Sequence, residues 1–132
     1  MPLSEFASDL ERRALPAFSL VVPDLCHSMH DCSRETGDAW LKAFLAPLLA
    51  SPQLKNGVVF VVFDEGKTDL HGCGHVAALA IGPTVRRHSQ ATATLDHYSI
   101  LRTIEDNWGL PLLGASATAN PVRGIWRTPK KS

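Results

Sequence analysis

Charge of one sign, long apolar runs and regular cysteine spacing are all missing from this chain of 132 residues. Its 13 lysines and arginines balance 13 aspartates and glutamates, so no single-sign field steers it toward nucleic acid or an anionic membrane. The closing "RTPKKS" is basic but short, and reads as a solvated tail. No apolar stretch approaches the roughly 20 residues of a membrane span. The opening "MPLSEFASDLERR" carries acids where a signal peptide has a basic and then an apolar segment. The sequence as written is therefore expected to be soluble and without an export signal. Cys26, Cys32 and Cys73 make an odd count without C-x-x-C spacing, which argues against a zinc knuckle or a dense disulfide framework. A Cys26 to Cys32 bridge and free buried thiols both stay open as readings. Repeats and low-complexity segments are absent as well.

What is present fits one globular domain over residues 1–132, with 45% hydrophobic and 20% charged residues. "PAFSLVVPD" (16–24) is an apolar run bounded by prolines, which predicts a strand. "DAWLKAFLAPLLA" (38–50) spaces Trp40, Leu41, Phe44, Leu45, Leu48 and Leu49 helically, with Pro47 expected to kink or end the helix. "VVFVVF" (58–63) has no polar alternation, which predicts a strand covered on both faces. "HVAALAIGP" (75–83) predicts a second strand stopped by Gly82 and Pro83. "LDHYSILRTIEDNWGLP" predicts a helix with Asp96 as N-cap and Gly109 as stop. Strand, helix, strand, strand, helix is an α/β layer pattern that is short of strands.

The chemistry concentrates where "VVFVVFDEG" runs into two adjacent carboxylates, Asp64 and Glu65. The connection from there to His75, "EGKTDLHGCGH", is shorter than the crossover of about a dozen residues that a parallel neighbour requires. The two strands must therefore run antiparallel, which brings His75 beside Asp64 and Glu65 at one sheet edge, with Gly66, Gly72 and Gly74 allowing a tight turn. Carboxylates suit hard divalent cations, and an added imidazole widens the range to zinc, manganese or iron. The bland alternative is a turn-capping Asp64 and an ordinary histidine. His71, Cys73 and His75 as a zinc set is poorly supported, because alternate residues of a loop do not converge. A second cluster, "PDLCHSMHD", gathers His27, His30 and Asp31 in a loop after the first predicted strand; histidines there serve as acid/base groups, as ligands, or as a plain surface turn. His97 stands in the first turn of the last helix, a position that favours an anion such as phosphate. His88, in "VRRHSQ", reads as surface.

"VVPDLCHSMHDCS", "GDAWLKAFLAPLLASP", "VVFVVFDEG", "HVAALAIGPTV" and "LDHYSILRTIEDNWGLPLLG", in that order, resemble the C-terminal half of the bacterial phosphoesterase family. That family includes acid phosphatases and phosphatidylcholine-hydrolysing phospholipases C, and belongs to the alkaline phosphatase-like superfamily. The resemblance covers most of residues 16 to 115. It implies an α/β fold with a partial mixed sheet and flanking helices, the C-terminal part of an alkaline phosphatase-like fold. It also implies a divalent metal ion of unspecified identity held by Asp64 and Glu65, with His30 facing the phosphate or leaving group and His75 and His97 lining the same site.

Full-length members carry a "Glu-Asn" pair after their first strand and a Ser or Thr nucleophile at a helix start, and neither motif occurs in this sequence. Ser28 and Ser99 are hydroxyls near the candidate residues without the nucleophile's context. Gly74 stands where some relatives have an aspartate. The expectation is thus a metal-dependent phosphoric ester hydrolase of which this chain is a part, inactive by itself, acting on a phosphate ester. The rival expectation is a non-catalytic module that pairs with itself or with a partner chain. The strand-poor sheet predicts a homo-oligomer. Localisation stays open between cytoplasmic and, for the parent protein, periplasmic or secreted.

Overall fold

The computed structural model describes residues 3–66, 68 and 74–128. The chain divides into two compact units, Met1–Gly57 and Val58–Ser132.

The first unit is helical. Helix α1, Leu3–Glu11, buries Phe6. Helix α2 spans Arg34–Ala50, starting four residues ahead of the predicted segment. Ser33 explains the earlier start: its hydroxyl accepts the Thr36 N–H and satisfies one of the donors that a helix start leaves unpaired. Pro47 neither ends the helix nor sits at its edge; α2 runs through it to Ala50. The loss of one intrahelical bond is tolerated because only the last turn follows. A 3₁₀ turn, Pro52–Asn56, closes the unit. Phe6, Leu45, Leu48 and Leu54 form its buried core, extended by rings of Phe6 and Phe44 5.0 Å apart and of Trp40 and Phe44 5.2 Å apart. Gln53 ties the ends together, accepting the Leu15 N–H and donating to the Leu10 carbonyl. Residues 16–24, predicted as a strand, carry no strand. Apolar content alone does not make one, because a strand needs a partner for its backbone groups.

The second unit contains the sheet. Strands β1, Val59–Val62, and β2, Ala78–Ile81, pair antiparallel with Val59 opposite Ile81 and Val62 opposite Ala78, as the short connection required. The β1 residues are all half-buried, so the strand is not covered on both faces as its composition predicted; among the described residues it has one neighbour only. Helix α3, His97–Trp108, begins at Asp96 in a reciprocal cap: Asp96 accepts the Ser99 N–H and the Ser99 hydroxyl accepts the Asp96 N–H. It ends at Gly109 in the left-handed conformation.

The core of this unit is Val85, Val122 and Ile125, packed by Val58, Phe60, Ala80, Leu95, Ile100 and Trp126. Two of those three buried residues come from the C-terminal segment, which pairs back on the chain: Arg86 N–H donates to the Ile125 carbonyl and Arg127 N–H to the Thr84 carbonyl, 2.8 Å each. Trp126 sets its ring edge-on to Phe60 and donates its indole N–H to the Val122 carbonyl. Among the described residues no helix is long and apolar enough to cross a membrane.

Candidate functional site

Three elements of the second unit meet at one end of the hairpin. The ladder's last bond runs from the Phe63 N–H to the Ala77 carbonyl, 3.2 Å. Beyond it, β1 continues into Asp64 and Glu65, both exposed, while the chain enters β2 past His75, also exposed. Antiparallel pairing thus sets the two carboxylates and the imidazole beyond the same sheet end, as the sequence predicted.

His97 joins them from α3. Its Nε2 lies 2.9 Å from the Phe63 carbonyl oxygen, the residue immediately before Asp64. With Nε2–H donating to that carbonyl, a neutral imidazole carries its lone pair on Nδ1. The contact orients the ring against the strand end, in the way that second partners orient functional histidines. Gly74 has φ +75°, and a side chain there would bring its Cβ to 2.3 Å from the Thr68 carbonyl oxygen. The turn into β2 therefore requires glycine at this position.

The set does not by itself form a metal cage. Among the described residues no three histidines, cysteines, aspartates or glutamates are placed to hold an ion. Two adjacent carboxylates suit a hard cation chemically, yet fall short of the six or so oxygen ligands such ions take. His71 and Cys73, weighed above with His75 as a zinc set, lie outside the described residues.

His30 belongs to the first unit, on a tightly bonded loop. Asp24 Oδ1 accepts the N–H groups of Cys26 (3.1 Å) and His27 (2.9 Å), and Asp24 Oδ2 lies 2.9 Å from His27 Nδ1. The His27 backbone N–H foremost, with the His27 ring and the Cys26 N–H, holds the Asp24 carboxyl below its ordinary value. The His30 and Asp31 N–H groups both donate to the Leu25 carbonyl, and Cys26 is bridged to Cys32. His27 stacks on Trp40 of α2, ring centres 5.5 Å apart. His30 itself is exposed, its Nδ1 2.7 Å from Asp31 Oδ1. Of the two hydroxyls considered above, Ser99 is 1% exposed and engaged in the α3 cap, and Ser28 donates to the Leu25 carbonyl.

Sequence reasoning missed Asp24 as the organiser of the histidine loop and the Phe63 carbonyl as the anchor of His97. An aspartate two and three residues before the amides it caps is a readable turn signal; a backbone acceptor 34 residues away leaves no trace in sequence.

Comparison with known proteins finds relatives that cover most of this chain. The chain is 32% identical over 126 residues to phosphatidylinositol-3-phosphatase of Mycobacterium tuberculosis, covering 96% of this chain and 41% of that protein. It is 32% identical to the phosphate-repressible acid phosphatase of Penicillium chrysogenum, covering 83% of this chain and 27% of that protein. It is 29% identical to an acid phosphatase of Aspergillus fumigatus, covering 84% and 26%. The chain thus spans between about a quarter and two fifths of the length of these relatives. No solved structure matches it significantly. The sequence profile of the Phosphoesterase family matches residues 1–111, reaching further toward the N-terminus than the motifs alone, and the chain belongs to that family.

Proposed function

We propose that this chain is part of a metal-dependent phosphoric ester hydrolase, with Asp64 and Glu65 contributing to a divalent metal site that residues elsewhere complete. The observation that carries this reading is the His97 to Phe63 contact, which fixes an imidazole at the strand end from which the two carboxylates emerge. A divalent ion held there would neutralise charge gathering on the transferring phosphoryl oxygens. The chain's own contribution is orientation and proton handling. His97 is held by a backbone carbonyl, His75 stands at the entrance to β2, and His30 is presented by a stapled loop, each an imidazole able to give a proton to a departing alkoxide. The attacking hydroxyl comes from outside this sequence stretch, since neither Ser28 nor Ser99 is available for it.

Acid phosphatases and a phosphoinositide phosphatase among the relatives support a phosphate monoester as substrate. The Cys26–Cys32 bridge supports an oxidising compartment for the parent protein, because such bonds persist outside the reducing cytosol. That β1 has one neighbour among the described residues supports a homo-oligomer.

A chimera tests the proposal: this chain replaces its matching segment in the Mycobacterium tuberculosis relative, and hydrolysis of p-nitrophenyl phosphate is measured. The expected result is metal-dependent turnover in the chimera, reduced at least about 100-fold by Asp64→Asn, and none from the chain alone. A folded chimera without activity, beside an active mycobacterial parent, would identify the chain as a non-catalytic module.

A further inference from the structure

The histidine loop of the first unit carries two pairs of imidazole and carboxylate, and the two carboxylates do different work. Asp24 caps the loop: one oxygen accepts two backbone N–H groups while the other meets His27 Nδ1, and the His27 ring stacks on Trp40. The fold accounts for that pair. Asp31 differs, because among the described residues its carboxylate accepts no backbone N–H and meets the His30 ring alone, Oδ1 lying 2.7 Å from Nδ1. The side chains of His30 and Asp31 are 64% and 58% exposed, so burial does not force them together. The loop backbone places them: both N–H groups donate to the Leu25 carbonyl, and the Cys26–Cys32 bridge closes the loop around them.

A carboxylate that meets one imidazole and caps nothing is the arrangement by which a second group orients a functional histidine. With Nδ1–H donating to Asp31, the neutral ring keeps its lone pair on Nε2, and the charged ring carries its transferable proton there. We infer that Asp31 is a positioning residue for His30, holding Nδ1–H so that Nε2 is the atom that gives and takes the proton. This deepens the phosphatase reading above and rests on it for the role of His30. As the attacking hydroxyl oxygen bonds to phosphorus and the bond from phosphorus to the leaving oxygen breaks, the Nε2 proton passes to that leaving oxygen. The ring is left neutral, with Nδ1–H still on Asp31 and the lone pair on Nε2. The Asp31 charge favours the imidazolium that precedes the transfer. His97 is held the other way round, through Nε2 and by an uncharged carbonyl. Of the two, His30 is the one built to donate from Nε2.

Two measurements test it. The first is the tautomer of His30, read from ring nitrogen shifts by NMR on the full chain with labelled histidine, at a pH where the ring is neutral. Asp31 is exposed and its side chain meets only the ring, so its variants fold. The wild type should be protonated at Nδ1. Asp31→Asn, whose amide oxygen still accepts, should keep that form, and Asp31→Ala should revert to the Nε2–H form that an unpartnered imidazole favours. Nε2–H in the wild type, or Nδ1–H retained in Asp31→Ala, would overturn the inference. The second measurement compares phenyl phosphate with p-nitrophenyl phosphate in the chimera described above, since phenoxide is the poorer leaving group and depends more on the proton. Asp31→Ala should lower kcat/KM for phenyl phosphate at least about 10-fold more than for p-nitrophenyl phosphate, within the roughly 10²–10⁴-fold that a positioned acid contributes. In a His30→Ala background it should lower neither further. Equal losses on the two esters would overturn the proton-transfer role. An inactive chimera would instead count against the phosphatase reading, and the tautomer measurement would still decide whether Asp31 positions His30.

Discussion

His97 Nε2 stands 2.9 Å from the carbonyl oxygen of Phe63, joining the first turn of α3 to the end of β1 one residue before the Asp64–Glu65 pair. One hydrogen bond therefore links the element that carries an imidazole to the strand that carries two carboxylates, across 34 positions of sequence. Asp96 supports the link from the helix side, because its reciprocal cap with Ser99 fixes where α3 begins.

Replacing His97 with alanine removes that donor, and the expected loss is about 0.5–1.5 kcal/mol of stability, at the low end because His97 is exposed. His97→Gln, whose amide can still donate, is expected to lose less. Denaturant unfolding of the two variants checks the order, and equal losses would show that the hydrogen bond contributes nothing.

Glu105 is the most consequential buried polar side chain among the described residues. It is 2% exposed, accepts the Leu113 N–H at 3.1 Å and the Ser116 hydroxyl at 2.6 Å, and so holds the 3₁₀ turn Gly114–Thr118 against α3. Glu105→Ala removes both of these bonds, while the Ser116 hydroxyl keeps the Leu113 carbonyl at 2.8 Å and the Leu113 N–H keeps the Ser116 hydroxyl at 3.0 Å, so the loss should be about 0.5–1.5 kcal/mol for each bond removed. Glu105→Gln keeps one carbonyl acceptor and should cost less. Thermal unfolding measures both, and a neutral Glu105→Ala would refute the role.

The sequence announced features whose causes are local. Asp96, Gly109 and the helical spacing between them define α3 within a dozen residues, and the short connection alone dictates the antiparallel hairpin. Features decided by distant partners stayed hidden. The C-terminal segment supplies Val122 and Ile125 to the core, yet its strand-like bridge at Trp126 depends on Val85, some forty residues away. Residues 16–24 look like a strand in composition and lack one in the chain because composition carries no information about whether a neighbour is present. In the candidate site, the Asp64, Glu65 and His75 grouping followed from topology, whereas the His97 anchor is a backbone oxygen and has no side-chain signature.

Acid should loosen the histidine loop. The Asp24 carboxyl lies below its ordinary value of 3.8 chiefly because the ionised form accepts the His27 N–H. A depressed folded pKa means the contribution is complete above the unfolded value and is lost as pH falls through the lower, folded value. The Cys26 and His27 amide proton shifts, followed by NMR on acidification, should therefore move together at a pH below 3.8. In Asp24→Asn the two amides should show no such step.

Divalent ions should bind the chain weakly. Two carboxylates and the imidazoles near them leave a hard ion's shell incomplete, in line with the lack of a three-ligand group among the described residues. Calorimetric titration with manganese, calcium and zinc is expected to give dissociation constants well above the micromolar range, about 8 kcal/mol of binding being the mark to stay short of. Submicromolar affinity abolished by Asp64→Asn would show a self-sufficient site.

Gly37 tests how α2 positions the His30 loop. A Cβ at this position would stand 2.4 Å from Met29 Cγ, 2.7 Å from Met29 Cε and 3.0 Å from the His27 carbonyl oxygen. Glycine lets the loop lie directly on the helix. Two effects of Gly37→Ala oppose each other: alanine favours the helix by up to about 1 kcal/mol, while overpacking costs typically about 1–3 kcal/mol. The clash involves Met29 near its backbone and not only its mobile end, so overpacking should prevail and the variant should be destabilised. Met29 itself has φ +70°, a conformation that glycine adopts freely and other residues rarely do. Met29→Gly in the Gly37→Ala background removes the two closest contacts and the backbone strain together, leaving only the approach to the His27 carbonyl. The double variant should therefore recover most of the loss, and a double-mutant cycle by denaturant unfolding should return a coupling of opposite sign to the single Gly37→Ala effect. Additive losses would mean that Met29 does not rest on Gly37.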